Sequence, residues 1–209
     1  SSWPAPSCLL FPRARNGSSA IIFLKRGKSL NRLLINFIAF QAGWFICVLG
    51  AANGYPLAGP IAVLGAVSLH LLMAHQASKE LVLIVIAAMI GAVFDTLLLQ
   101  TGWLSYANGM LWAGTAPYWI VAMWLLFTTT LNVSLRWLRR SYLAAAVLGL
   151  VGGPLSYYGG AKLGGLVFLD MTAALTMLAV GWAIIMPALI WLSKRLDGMQ
   201  PHAAEPSHV

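Results

Sequence analysis

The chain has 209 residues, of which 60% are hydrophobic and only 9% charged, and its mean hydropathy is +0.81. Soluble domains carry about 25% charged residues, so these few charges cannot cover a water-exposed surface. A soluble enzyme, a nucleic-acid binder and a disordered chain are excluded, which leaves an integral membrane protein. The formal charge of +8 does not reverse this. The cations sit at the ends of apolar runs, where they orient helices and meet anionic headgroups.

Residues 1–29 differ from the rest. They hold Pro4, Pro6 and Pro12 and the cations Arg13, Arg15, Lys25, Arg26 and Lys28, with no acid. Leu9–Phe11 and Ile21–Leu24 are too short to span a bilayer, and no signal-peptide cleavage pattern follows an apolar stretch of the right length. Two expectations follow: a disordered basic leader, or upstream sequence with Leu30 as the true start from a non-AUG codon.

Leu33 to Ser78 contains no charged residue. A spanning helix needs about 20 residues, so this stretch is two helices, turned at Asn53-Gly54-Tyr55-Pro56. The first is expected over Leu33–Ala52 and the second over Leu57–Ser78. Lys79-Glu80 is a polar break before a third helix over Leu81–Gln100. Thr101–Ala116, with Trp103, Tyr106 and Trp112, reads as an interfacial loop or short surface helix. The fourth helix is expected over Tyr118–Leu135, closed by Arg136, Arg139 and Arg140. The fifth, Tyr142–Tyr158, should kink or break at Gly152-Gly153-Pro154. A Gly-rich connection over Gly159–Leu169 leads to a sixth helix over Met171–Ser193, and Asp197–Val209 is read as a polar cytoplasmic tail.

The architecture is therefore all-α, a polytopic transmembrane bundle of about six spans over residues 30–196. With both ends cytoplasmic, 12 of the 13 Lys and Arg lie inside and only Lys162 lies outside, which is a strong positive-inside bias. Cys8 and Cys47 then fall on opposite sides of the membrane, so no disulfide is expected, and two cysteines make no metal site.

Certain segments in this order carry a resemblance: Asn36-Phe37 and Phe40-Gln41-Ala42-Gly43-Trp44; Gly91-Ala92-Val93-Phe94-Asp95; Pro117-Tyr118-Trp119; Leu131-Asn132-Val133-Ser134-Leu135-Arg136-Trp137-Leu138; and Gly152-Gly153-Pro154-Leu155-Ser156-Tyr157 before Gly160-Ala161-Lys162-Leu163-Gly164. The chain resembles an uncharacterised family of small bacterial multi-pass inner-membrane proteins, often encoded near cyclopropane-fatty-acid-synthase-like enzymes. The resemblance covers roughly residues 30–194. It implies a loose association with membrane lipid and supplies no catalytic residues.

An ionisable group in a bilayer costs about 2.5–3.5 kcal/mol at a helix centre, so each needs a reason. Asp95 is the first candidate, as proton acceptor, substrate anchor or ion ligand, or else as a structural pair. At about 1.5 Å per residue it lies in the outer third of the third helix, with Lys162 or the Tyr157 hydroxyl expected beside it. Lys162 is also placed to pair with Asp170, and Tyr157 and Tyr158 could equally be aromatic-belt residues. A second set lies nearer the cytoplasm: Asn36, Gln41, His70, Asn132, Ser134 and Arg136, with Thr128, Thr129 and Thr130 in mid-helix. These residues bind substrate or simply bridge helices. Gly149-x-x-x-Gly153 and Gly160-x-x-x-Gly164 read as packing motifs. No HExxH, GxSxG, P-loop, CxxC or metal-ligand cluster is present, so no metal is expected, the cofactor stays open, and an ATP-driven pump is disfavoured.

Three functions are compatible with this sequence. One is an enzyme, or its accessory, acting on a lipid or acyl substrate. Another is a small proton-coupled transporter with Asp95 as coupling carboxylate and Pro154 or Pro187 as helix breaks. The third is a scaffold without a substrate. The bilayer is the expected partner, and the oligomeric state is open.

Overall fold

A computed structural model describes residues 16–200, with side-chain detail from residue 30 onward. The expectations for residues 1–15 and 201–209 lie outside the described residues. Six helices follow one another: α1 Asn16–Ala52, α2 Ala58–Met73, α3 Ala77–Gln100, α4 Tyr118–Leu131, α5 Tyr142–Lys162 and α6 Met171–Arg195. Two short strands interrupt them, β1 Leu104–Tyr106 and β2 Leu166–Phe168, and a 3-10 turn covers Arg136–Arg140. The fold is an all-α bundle with one small clasp.

Four helices are long and apolar enough to cross a membrane: α1 from Leu30, α3, α5 and α6. At about 1.5 Å per residue, the 16 residues of α2 and 14 of α4 rise only about 24 and 21 Å. The bundle turns its apolar side chains outward, with Leu64, Leu72, Leu143 and Ile184 among many left exposed. Such a surface is stable only against lipid.

Apolarity on all sides removes the amphipathic signal that normally orients a helix, so small residues and polar contacts set the packing instead. The middle of the bundle is α4, which packs on α1, α2 and α3, while α5 packs chiefly on α6. Gly149 lets α5 and α6 approach, because a Cβ there would sit 2.2 Å from the Trp182 carbonyl oxygen. Backbone cannot yield as a side chain can. Gly149→Ala is therefore expected to lower bundle stability by about 1–3 kcal/mol through overpacking. Gly152→Ala, where a Cβ meets nothing within 4 Å, should leave the thermal midpoint in detergent unchanged. Equal midpoints for the two variants would rule out this account of α5 and α6.

Several expectations need correcting. The helix α1 begins at Asn16, inside the segment set apart as a leader. The turn at Gly54 forms with φ +81°, but α2 stops at Met73, five residues early. The interfacial loop contains β1, which pairs antiparallel with β2, Leu104 opposite Phe168 and Tyr106 opposite Leu166. After Leu131 the chain leaves the α-helix, and Arg136–Arg140 form the 3-10 turn. The helix α5 runs unbroken through Pro154 to Lys162. Of the two glycine repeats only Gly149 and Gly153 pack helices, since Gly164 lies beyond α5 at φ +87°.

The helices alternate in direction, so the bundle has two ends. The clasp end gathers the close of α1, α3 and α5 with β1 and β2. The basic end gathers the start of α3, the 3-10 turn and the close of α6.

Candidate functional site

Toward the clasp end, the site grows from two residues one helical turn apart on α3. Gly91 and Asp95 share a face of the helix. A Cβ on Gly91 would stand 2.0 Å from the Trp124 ring, so only glycine lets that indole from α4 lie against α3. Trp124 is held flat by Trp182 of α6, stacked at 4.6 Å and 9°. Its Nε1–H thereby reaches Asp95 Oδ2 at 2.7 Å.

Two tyrosines complete the set. The Tyr106 hydroxyl, carried inward by β1, donates to Asp95 Oδ1 at 2.8 Å. The Tyr157 hydroxyl, from α5, donates to the same oxygen at 2.5 Å. Asp95 is fully buried, and no cation contacts it among the described residues. An isolated carboxylate in such surroundings is very costly, and here three donors from three elements replace a counter-ion. Tyr106, which lies outside the spanning helices, is held well above the ordinary tyrosine range, first by burial and then by the neighbouring carboxylate. It keeps its proton and stays a donor. Trp119 packs edge-on to it at 5.7 Å, and the Trp119 indole donates to the Asn108 carbonyl at 3.0 Å.

The partner expected for Asp95 is thus half right. Tyr157 is there and Lys162 is not. The ammonium of Lys162 lies 5.3 Å above the Tyr158 ring, on an exposed residue at the close of α5. Asp170 does not meet Lys162 either. It caps α6, its carboxylate accepting from the Ala173 N–H at 3.0 Å, an ordinary N-cap role. Sequence reasoning missed Trp124 and Tyr106. An indole scores as apolar, and nothing local shows that its one N–H is spoken for.

A second cluster occupies the basic end, and its hub is Glu80, which the sequence presented as a polar break. Glu80 is fully buried. Its Oε2 meets His70 Nε2 at 2.8 Å, while Oε1 accepts from Asn132 Nδ2 at 2.5 Å and from the Gly198 N–H at 2.7 Å. Arg139 donates to Asn132, to the Ser193 carbonyl at 2.8 Å and to Asp197 at 2.7 Å. Arg136 pairs with Asp197 at 2.5 Å. The segment read as the start of a polar tail is therefore folded into the bundle as far as Met199.

Asn36 forms a third, smaller contact. Its Nδ2 donates to the Thr129 carbonyl at 3.1 Å and hydroxyl at 3.3 Å, and its Oδ1 accepts from Ser134 at 2.5 Å. Thr128, Thr129 and Thr130 each bond back to their own helix. Gln41 joins neither cluster and stands exposed on α1. Among the described residues no group of three His, Cys, Asp or Glu could hold a metal.

A helical membrane protein with buried carboxylates at two depths, each satisfied by neutral or histidine donors, is the class this fold and these sites define. Residues 33–188 match the family described as protein of unknown function, DUF2878, and the chain belongs to that family. No curated protein and no solved structure matches the chain.

Proposed function

We propose that this is a bacterial inner-membrane protein, basic end in the cytoplasm, that acts in or assists the modification of membrane lipid acyl chains, with Asp95 as its working group. The orientation is supported by the arginines and lysines collected at that end. One observation carries the chemical reading. A buried carboxylate, with no counter-ion among the described residues, holds two tyrosine hydroxyls on a single oxygen. Carboxylate and phenol at hydrogen-bond distance can pass a proton to and from a third group, and the apolar bundle around them excludes water.

A specific feature favours the runner-up, a proton-coupled transporter. The Glu80–His70 pair at the other end of α3 is a second buried titratable group on the same helix. The two readings separate in a strain lacking the protein. Asp95→Asn and Tyr157→Phe are expected to accumulate in the membrane at near wild-type levels while failing to restore the phospholipid acyl composition. If the deletion leaves acyl composition unchanged, or if Asp95→Asn restores it fully, the lipid reading is wrong. Uptake by proteoliposomes driven by a pH gradient would then support the transporter.

A further inference from the structure

We infer that a groove along α1 binds one phospholipid, its phosphate among arginines at the basic end and one acyl chain running toward Tyr157. This deepens the proposed reading by naming the molecule and which part of it meets the Asp95 cluster.

At the basic end a recess of about 980 Å³ is walled by Arg32, His75, Arg136, Arg139 and Arg140. Asp197 engages only Arg136 and Arg139. Arg32 and Arg140 make no ion pair among the described residues, and the Nε–H of Arg139 is buried without an acceptor. Glu80 adds no neutralisation at the surface, since it is buried among its own three donors. Unpaired guanidiniums at a membrane interface suit a headgroup phosphate.

The recess meets a second space at Ser134. This is a groove of about 270 Å³ between α1 and α5, floored by α4 and walled by Phe37, Gln41, Phe127, Gly152 and Trp182. Two smaller hollows continue it past Trp44 and Ser156 to Tyr157, whose hydroxyl is on Asp95. From Arg32 to Trp44 the helix rises about 18 Å at 1.5 Å per residue. One leaflet of a bilayer core is about 15 Å deep, half of roughly 30 Å. A chain anchored by its headgroup at the arginines thus lays its distal methylenes, not its ester, at the Tyr157 end.

The groove also carries donors without acceptors. The Trp182 indole is only 8% exposed, yet its Nε1–H is buried and unpartnered. The Gln41 amide makes no hydrogen bond among the described residues. A buried donor such as the Trp182 N–H costs free energy when nothing occupies the space beside it, and a double bond along the acyl chain would meet it.

The test is native mass spectrometry of the full chain purified in mild detergent, with refilling from phosphatidylglycerol vesicles. The wild type is expected to hold one phospholipid through detergent exchange. Arg32→Gln combined with Arg140→Gln should weaken retention about thirtyfold, the effect of two arginines at a headgroup. Gly152→Leu places a side chain in the groove where a Cβ meets nothing within 4 Å. It should lose the lipid while keeping the thermal midpoint of the lipid-free wild type. The inference is overturned if the wild type neither retains nor takes up phospholipid, or if both variants retain it undiminished. It is also overturned if inorganic phosphate alone stabilises the protein as much as the lipid does. Retention requires no turnover, so it can fail while Asp95 remains essential, and it can hold while Asp95→Asn proves fully active.

Discussion

Asp95→Leu is expected to prevent the bundle from accumulating, whereas Asp95→Asn should fold. Leucine strands the donors that now converge on the carboxylate. One tyrosine hydroxyl can turn to the other, because both already meet at Oδ1. The Trp124 indole has no second acceptor, and one tyrosine proton is left over. Each stranded buried donor costs about 1–3 kcal/mol, so the loss is about 2–6 kcal/mol against a typical whole-domain stability of about 5–15 kcal/mol. Asparagine keeps an oxygen for the Trp124 N–H and turns its own N–H groups toward hydroxyl oxygens, which accept. Thermal unfolding in detergent and the membrane level of each variant decide the matter. A leucine variant as stable as the wild type would show that the three donors do not need the carboxylate.

Glu80→Leu is expected to be as damaging, at the other end of α3. It leaves His70, Asn132 and the Gly198 N–H without their common acceptor, and each buried donor so stranded costs about 1–3 kcal/mol. The segment from Leu196 to Met199 should loosen but stay attached, because the Gly198 N–H contact to Glu80 is one of several ties, beside Asp197 with Arg136 and Arg139 and the Gln76 N–H on the Gly198 carbonyl. Glu80→Gln should cost less. Its amide oxygen can serve Asn132 and Gly198, and its N–H can donate to His70 Nε2 if the ring moves its proton to Nδ1, which now has no partner. Limited proteolysis near Asp197 reads the loosening directly. Equal protection of this segment in wild type and Glu80→Leu would remove Glu80 as one of its anchors.

Elements that depend on chain length and composition were legible. Charge-free runs, the turn at Asn53-Gly54 and the polar breaks mark the helix ends to within about five residues, the start of α1 excepted, because a bilayer imposes a length on whatever crosses it. Asp95 stood out for the same reason, being an acid where acids are expensive. What stayed hidden is partnership. Glu80 follows Lys79 and looks like a surface pair, yet it turns inward because His70, ten positions earlier, and Asn132, far along the chain, arrive on either side. The clasp stayed hidden because Leu104–Tyr106 and Leu166–Phe168 are three residues each, too short for an alternating pattern to register. Lys162 was overvalued because a lone cation and a lone acid on one side of a membrane invite pairing. The tyrosine and tryptophan donors removed the need.

The separation between Asp95 and its partners has a consequence for how the protein is made. Trp124 lies 29 residues after Asp95 and Tyr157 lies 62 after it. Translation delivers α3 to the membrane before the donors that make its carboxyl tolerable exist. Until α5 has been synthesised and the clasp has closed, α3 carries its carboxyl in lipid without the full donor set, at a cost of about 2.5–3.5 kcal/mol. Burial of Asp95 thus marks completion, since only a chain synthesised past Tyr157 can satisfy it, and shorter chains present an unmet acid for quality control to find.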